Sequence, residues 1–154
     1  MPKPKTPITL QVNDIKKEEF VAHYDKKVLL VEDSLVNQKV TSIMLKKAGF
    51  DFDIANNGQE AVDYFNKGND YLVVIMDCMM PVMDGFTATQ EIRKIEQRDS
   101  LVETPIIALT ASVIDDDIKR CFDSGMNDYL PKPFNKDMFI EKVELLLAKN
   151  KQIA

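Results

Sequence analysis

Histidine occurs once in this chain and cysteine twice, and no apolar run approaches the roughly 20 residues that a membrane helix needs. Two cysteines, Cys78 and Cys121, are too few for a disulfide framework and form no CxxC metal pair. The N-terminal stretch MPKPKTPITLQV lacks the apolar core of a signal peptide. Basic residues are outnumbered, 20 against 25 acidic, giving a formal charge of −5 over 154 residues. Such a chain has no net field to draw in phosphates and is a poor non-specific binder of nucleic acid. What is present is a 45% hydrophobic content, enough for a real core. The expectation is a cytoplasmic protein with no membrane insertion. It has one folded domain at residues 27–149, an N-terminal arm or linker at 1–26 and a short tail at 150–154.

The arm is Pro/Lys-rich, then charged, with too few large apolar residues to bury a core. Its His23, in Ala-His-Tyr-Asp-Lys, lacks the surroundings of a phosphodonor and reads as a solvated residue. From Lys27 a rhythm begins. Val28-Leu29-Leu30-Val31 is a short apolar run of the kind found in strands buried on both faces. Val36, Val40, Ile43, Met44 and Ala48 follow at helical spacing, with Val36 assigned to the core, and Gly49 ends the helix. Phe52–Ala55 is a second strand, and Asn57 with Glu60 forms a capping-box start to a second helix. Residues 71–76 are the strongest strand. Ala88, Ile92 and Ile95 mark the next helix, 106–109 a fourth strand, and Ile114, Ile118 and Phe122 a fourth helix. Residues 128–130 make a fifth strand, and Phe139, Val143, Leu146 and Leu147 line a last helix. Five βα units in succession imply an α/β fold, a doubly wound parallel sheet with helices on both faces.

Ligands of open α/β sheets sit beyond the carboxyl ends of the strands. The residues there are Glu32-Asp33, Asp77, Thr110 and Lys132, whereas the second strand ends in Ala55-Asn56. Singly, each has a plain structural explanation: Asp33, Ser34 or Thr110 as helix caps, Asp77 as a turn residue, Lys132 as surface charge. Jointly they put three carboxylates on one rim, where a pair about 4 Å apart repels by roughly 4 kcal/mol at an effective dielectric of 20. Lys132 relieves one charge and a divalent cation would relieve two. All-oxygen donors favour a hard ion, Mg²⁺ or Mn²⁺. A carboxylate beside such an ion, an amine and a hydroxyl suits phosphoryl transfer, with Asp77 as nucleophile and Lys132 and Thr110 on the phosphoryl oxygens.

The segments VLLVEDS (28–34), VVIMDCMMPVMDG (73–85), PIIALTA (105–111) and DYLPKPF (128–134) resemble the receiver domain of response regulators. The run VEDSLVNQ looks most like receivers of hybrid histidine kinases. The resemblance implies a flavodoxin-like (βα)5 fold with strand order 2-1-3-4-5. It implies a phosphoacceptor module of a two-component system or phosphorelay rather than an enzyme acting on a separate substrate. Asp77 would take a phosphoryl group from a phosphohistidine. Asp33 and Asp77 would hold Mg²⁺ directly, Glu32 through water and Met79 through its main-chain carbonyl. Thr110 and Tyr129 match the family's switch pair, which acts on the fourth helix, fifth strand and fifth helix. A cis Lys132-Pro133 bond is expected. Partners would be a histidine kinase or a histidine phosphotransfer protein, met by an apolar ring that includes Leu35 and Pro133. Met79 and Ser112 stand where the family often orders the attacking water, which leads to the expectation of a long-lived aspartyl phosphate.

Rival readings fare worse. A nucleotide or flavin binder on this fold needs a Gly/Ser/Thr-rich cradle after the first strand, where Glu-Asp-Ser stands. An aspartyl-nucleophile phosphatase of the haloacid-dehalogenase kind carries a second Asp where Met79 stands. A phosphorylation-independent docking module has no need of the complete acid, amine and hydroxyl set. Asp115-Asp116-Asp117 reads as a helix start favoured by the dipole, and the methionines around Met80 as adaptable packing. No helix-turn-helix is expected after the last helix, so the module would act by docking.

Overall fold

The computed structural model describes residues 25–153, so the arm expected at 1–26, His23 included, lies almost wholly outside the described residues. Strand and helix alternate as β1 (Lys27–Val31), α1 (Leu35–Lys47), β2 (Phe52–Ala55), α2 (Gly58–Asn66), β3 (Tyr71–Asp77), α3 (Gly85–Arg98), β4 (Ile106–Thr110), α4 (Asp115–Ser124), β5 (Asp128–Pro131) and α5 (Lys136–Ile153). The last helix runs past the boundary expected at residue 149. The five strands form one parallel sheet in the order β2-β1-β3-β4-β5. This is the doubly wound fold that the alternation implied.

Every residue of β3 is buried, because this strand has neighbours on both edges and helices on both faces. Alternate side chains supply two cores. Val28, Leu30, Val73, Ile75, Ile107 and Leu109 pack with Leu45 of α1 and Phe139 and Val143 of α5. Leu29, Val31, Val74, Met76, Ile106 and Ala108 pack with Phe65 of α2, Ile92 of α3 and Cys121 of α4. Period-two runs of β-branched and aliphatic residues fill a sheet covered on both sides.

Helix starts follow local chemistry. Ser34 accepts from Asn37 N, Asn57 from Glu60 N and Asp84 from Thr87 N. Asp84 is therefore the cap of α3. Glu60 departs from the expected reciprocal bond: its carboxylate accepts from Asn56 N and Nδ2 instead. The acids Asp115, Asp116 and Asp117 occupy the first turn of α4, as the helix dipole favours.

Two inward faces differ from the sequence reading. Val36 is not core but 70% exposed, and Val40 and Ile43 are exposed with it. α1 presents Gln38, Thr41 and Leu45 to the protein instead, and two hydrogen bonds satisfy the buried Gln38 amide that hydrophobic periodicity discounts. On α4, Ile114 and Phe122 are exposed, and Cys121 and Ser124 are buried. No helix among the described residues is long and apolar enough to cross a membrane.

A buried ionic network ties α3 to the far end of β4. Arg93 donates to Glu96 Oε1 (2.7 Å), Thr104 O (2.9 Å), Gly125 O (3.0 Å) and Asn127 Oδ1 (2.8 Å), while Glu96 Oε2 accepts from Thr104 N (2.7 Å). Removing one partner would strand a buried charge. Arg93→Ala is expected to destabilise the fold by about 3–5 kcal/mol in urea denaturation, and adding Glu96→Ala is expected to cost less than the two single changes summed.

Candidate phosphoacceptor site

Register builds the site before any side chain does. Val31 pairs with Met76, so Glu32 emerges level with Asp77. Asp77 pairs with Leu109 and Thr110 with Pro131, so Thr110 and Lys132 leave the sheet one step further on. The order β2-β1-β3 makes β1 and β3 neighbours across the switch point, which is what brings the acids together. α3 begins hard against this rim. Gly85 N donates to Cys78 O (3.0 Å), and a Cβ at Gly85 would collide with the carbonyl oxygen of Asp77.

Glu32, Asp33 and Asp77 each offer a carboxylate oxygen within 4.8 Å of the others. Glu32 and Asp77 are buried and Asp33 is exposed. Lys132 Nζ lies 3.2 Å from Asp77 Oδ1 and 3.6 Å from Glu32 Oε1. Glu32 Oε2 accepts from Ser34 N (3.1 Å). Burial, reinforced by the charge on Asp77, holds the Glu32 carboxyl above its usual 4.5, against the opposing pull of the Ser34 N–H and of Lys132. With one ammonium for three acids, the cluster retains two formal negative charges, and its donors are all oxygens. The residues present therefore fit a hard divalent cation.

Thr110 is buried, and its Oγ1 donates to Ser112 O (2.8 Å) and accepts from Ser112 N (3.0 Å). It does not cap α4, whose start at Ile114 has no side-chain cap. Tyr129 is half-buried against the core shared with α4, with Lys142 Nζ 5.3 Å from its ring. Lys132-Pro133 is cis. Met79 is exposed, and its N–H lies 3.4 Å from Asp77 Oδ1. Leu35 is 75% exposed beside the acids, and Pro133 is exposed at the opposite lip. Between α1 and the segment after β5, Val40, Met44, Pro133 and Phe134 help line a cavity of about 270 Å³ that reaches Glu32 and Lys132.

The family profile described as "Response regulator receiver domain" matches residues 28–144. The chain belongs to this family. It is 44% identical over 129 residues to hybrid signal transduction histidine kinase B of Dictyostelium discoideum, covering 77% of this chain and 6% of that protein. It is 40% identical over 129 residues to probable histidine kinase 2 of Oryza sativa subsp. indica, covering 75% of this chain and 12% of that one. The receiver thus spans a small fraction of these relatives.

Two solved structures bear on the site. The Saccharomyces cerevisiae complex of the histidine phosphotransfer protein Ypd1 with the receiver domain of Ssk1 matches at 35% identity and TM-score 0.71, over 77% of this chain and 87% of the matched one. The receiver domain of sensor histidine kinase PA1611 from Pseudomonas aeruginosa, with magnesium coordinated in its active-site cleft, matches at 39% identity and TM-score 0.69, over 79% and 96%.

The five sequence-predicted residues Glu32, Asp33, Asp77, Thr110 and Lys132 meet at one rim of the receiver. Gln38 was missed, although it is buried and donates to Glu32 O (2.6 Å) and Asn56 Oδ1 (2.8 Å). An amide on a helix reads as surface, so only the run VEDSLVNQ pointed towards it. Cys78 and Cys121, remote in sequence, are buried with their sulfurs 3.9 Å apart. Burial first, then Cys121 and Asp77, pushes the Cys78 thiol far up, which leaves it unreactive.

The raised Glu32 carboxyl has a signed consequence for stability. The folded chain holds its proton more tightly than the unfolded chain, so the charged form weakens the fold above its raised folded value, and this penalty is gone below 4.5. In chelator at neutral pH, Glu32→Gln is expected to raise Tm, by about 2–4 °C per kcal/mol of relieved repulsion. A pH series should show the gap closing towards pH 4.5, where wild type carries the proton itself.

Proposed function

We propose that this receiver accepts a phosphoryl group on Asp77 from a phosphohistidine in an Mg²⁺-dependent reaction, with Mn²⁺ able to substitute. The observation that carries this reading is the Lys132 ammonium 3.2 Å from the Asp77 carboxylate, inside a three-acid cluster at the switch point. Asp33 and Asp77 would hold the ion directly, Glu32 through water and Met79 through its carbonyl. When bound, the ion neutralises charge on the phosphoryl oxygens. A carboxylate oxygen of Asp77 attacks phosphorus, a new P–O bond forms and the P–N bond breaks. The electron pair leaves on the imidazole. Lys132 then pairs with the phosphoryl oxygens.

Thr110 would give up its bonds to Ser112 and turn its hydroxyl to the phosphoryl group, and Tyr129 would move inward. This couples the site to the face made by α4, β5 and α5. Such a chain is a signalling acceptor that promotes its own phosphorylation and slow dephosphorylation, not an enzyme with a turnover substrate. The exposed Met79 brings no polar side chain to order an attacking water, which supports a long-lived phosphate. The donor is a histidine kinase or a histidine phosphotransfer protein, and the matched yeast receiver, in complex with a histidine phosphotransfer protein, supports the second. Leu35 and Pro133, on either side of the acids, would meet its helix. Work inside the cytoplasm follows from such donors.

Incubation with a small phosphodonor and Mg²⁺, followed by intact mass, is expected to add one phosphoryl group to wild type and none to Asp77→Asn. Equal labelling of both would remove Asp77 as acceptor. The label should persist for minutes or longer in Mg²⁺; loss within seconds contradicts the relay reading. Leu35→Asp is expected to slow transfer from a phosphotransfer protein about tenfold while leaving Tm unchanged, because a residue this exposed contributes little packing.

A further inference from the structure

Gln38 is a buried amide on the face of α1 that otherwise packs through Thr41 and Leu45, so core packing alone does not account for it. Its Nε2 makes two bonds at once, to the carbonyl of Glu32 (2.6 Å) and to Asn56 Oδ1 (2.8 Å). The orientation of both amides is dictated from one end. The Glu60 carboxylate only accepts, so Asn56 must turn its Nδ2 (3.0 Å) and N–H (2.8 Å) towards it. That leaves Asn56 Oδ1 as an acceptor, and Gln38 must answer with its NH2 group.

The chain of bonds runs from α2, through the loop after β2, to the loop after β1. At its end the residues on both sides of Asp33, Glu32 and Ser34, are held. Glu32 is held by its N–H on Ala55 O (3.1 Å), its carbonyl on Gln38, and its carboxylate on Ser34 N. Ser34 is held by its carbonyl on Gln38 N (2.8 Å) and its hydroxyl on Asn37 N (3.2 Å). Asp33 is exposed, and its own position depends on these two neighbours.

We propose that Gln38, oriented by Asn56 and Glu60, is a positioning residue that sets the β1–α1 loop for divalent-cation binding. It touches neither ion nor phosphoryl group. It acts by keeping Glu32 and Asp33 in a geometry with Asp77 that mutual repulsion alone would open. Partners beyond the ligands commonly tune metal affinity about 10–100-fold. The proposal rests on the reading of the acid cluster as a cation site.

Gln38→Met keeps length and apolar stem, removes the donors and leaves charge unchanged. Titration of the full chain with Mn²⁺, followed by electron paramagnetic resonance, reads affinity without phosphorylation, and Tm in chelator reads the fold separately. The expected result is about a tenfold weaker Kd for Gln38→Met. Asn56→Ala, at an exposed position, is expected to weaken binding in the same direction by about threefold, with the double variant no worse than Gln38→Met. A merely structural amide would lower Tm in chelator and leave Kd within about twofold of wild type, and that result overturns the proposal. Should Gln38→Met fail to fold, an unchanged Kd for Asn56→Ala overturns it equally. Absence of Mn²⁺ binding by wild type is a separate outcome: it removes the cation reading, and the positioning role with it.

Discussion

Repulsion among three carboxylates is the constraint on which this structure turns. Glu32, Asp33 and Asp77 lie within 4.8 Å of one another, and two of them are buried. A fold without a use for such a cluster would disperse it, since each like-charged pair costs stability and burial sharpens the cost. Here the cluster is built in by topology. Strand order 2-1-3 sets two acid-bearing strand ends side by side, and the β1–β3 register leaves no freedom to stagger them. Lys132 reaches in from the end of β5 and meets two of the acids, which answers part of the charge. The remainder is two formal negative charges on all-oxygen donors, which the proposed divalent cation would answer.

The price of that arrangement is met by rigidity around it. Both sheet faces are packed, and β3 has no exposed residue. α3 starts so close to Asp77 that only glycine fits at position 85. The loop after β1 is pinned by Ser34, Gln38 and the sheet itself. Electrostatic sites work when their dipoles and charges are already in place, so that little reorganisation accompanies the chemistry.

Most of this was legible in the sequence for a physical reason. Strands buried on both faces appear as unbroken apolar runs, and the residue after each run falls at the ligand-binding edge of a parallel sheet. Reading those few positions found Glu32, Asp33, Asp77, Thr110 and Lys132. The failures share a cause too. α1 carries two stripes at helical spacing, and hydrophobicity selects Val36, Val40 and Ile43, which are exposed. The buried stripe contains Gln38 and Thr41, and the burial of the Gln38 amide depends on partners supplied by other segments. No one-dimensional pattern encodes a hydrogen bond to a residue 18 positions away. The exposed apolar stripe is therefore better understood as surface than as misplaced core, and it continues from Leu35 past the lip of the cavity beside Lys132.

The rim is fastened unequally, and the inequality bears on the proposed switch. On the acid side, main-chain and side-chain bonds hold Glu32, Ser34 and Gln38 around Asp33. On the other side, the bonds of the Thr110 hydroxyl go to the backbone of Ser112, two residues along its own chain, while its main chain stays in the sheet, with its carbonyl accepting from Lys132 N. α4 beyond it buries just Cys121 and Ser124, and Arg120 stacks over Phe86 at 4.0 Å. Its far end is anchored more firmly, through Arg93 on Gly125 and Asn127. A helix held well at its C-terminal end and lightly at its N-terminal end can shift the end nearest Thr110 without disturbing the core. Low local contact is where conformational change is cheapest. A switch that left through β1 would have to break the network that holds the acids, and would weaken the site it reports on. Leaving through Thr110 and α4, it need not.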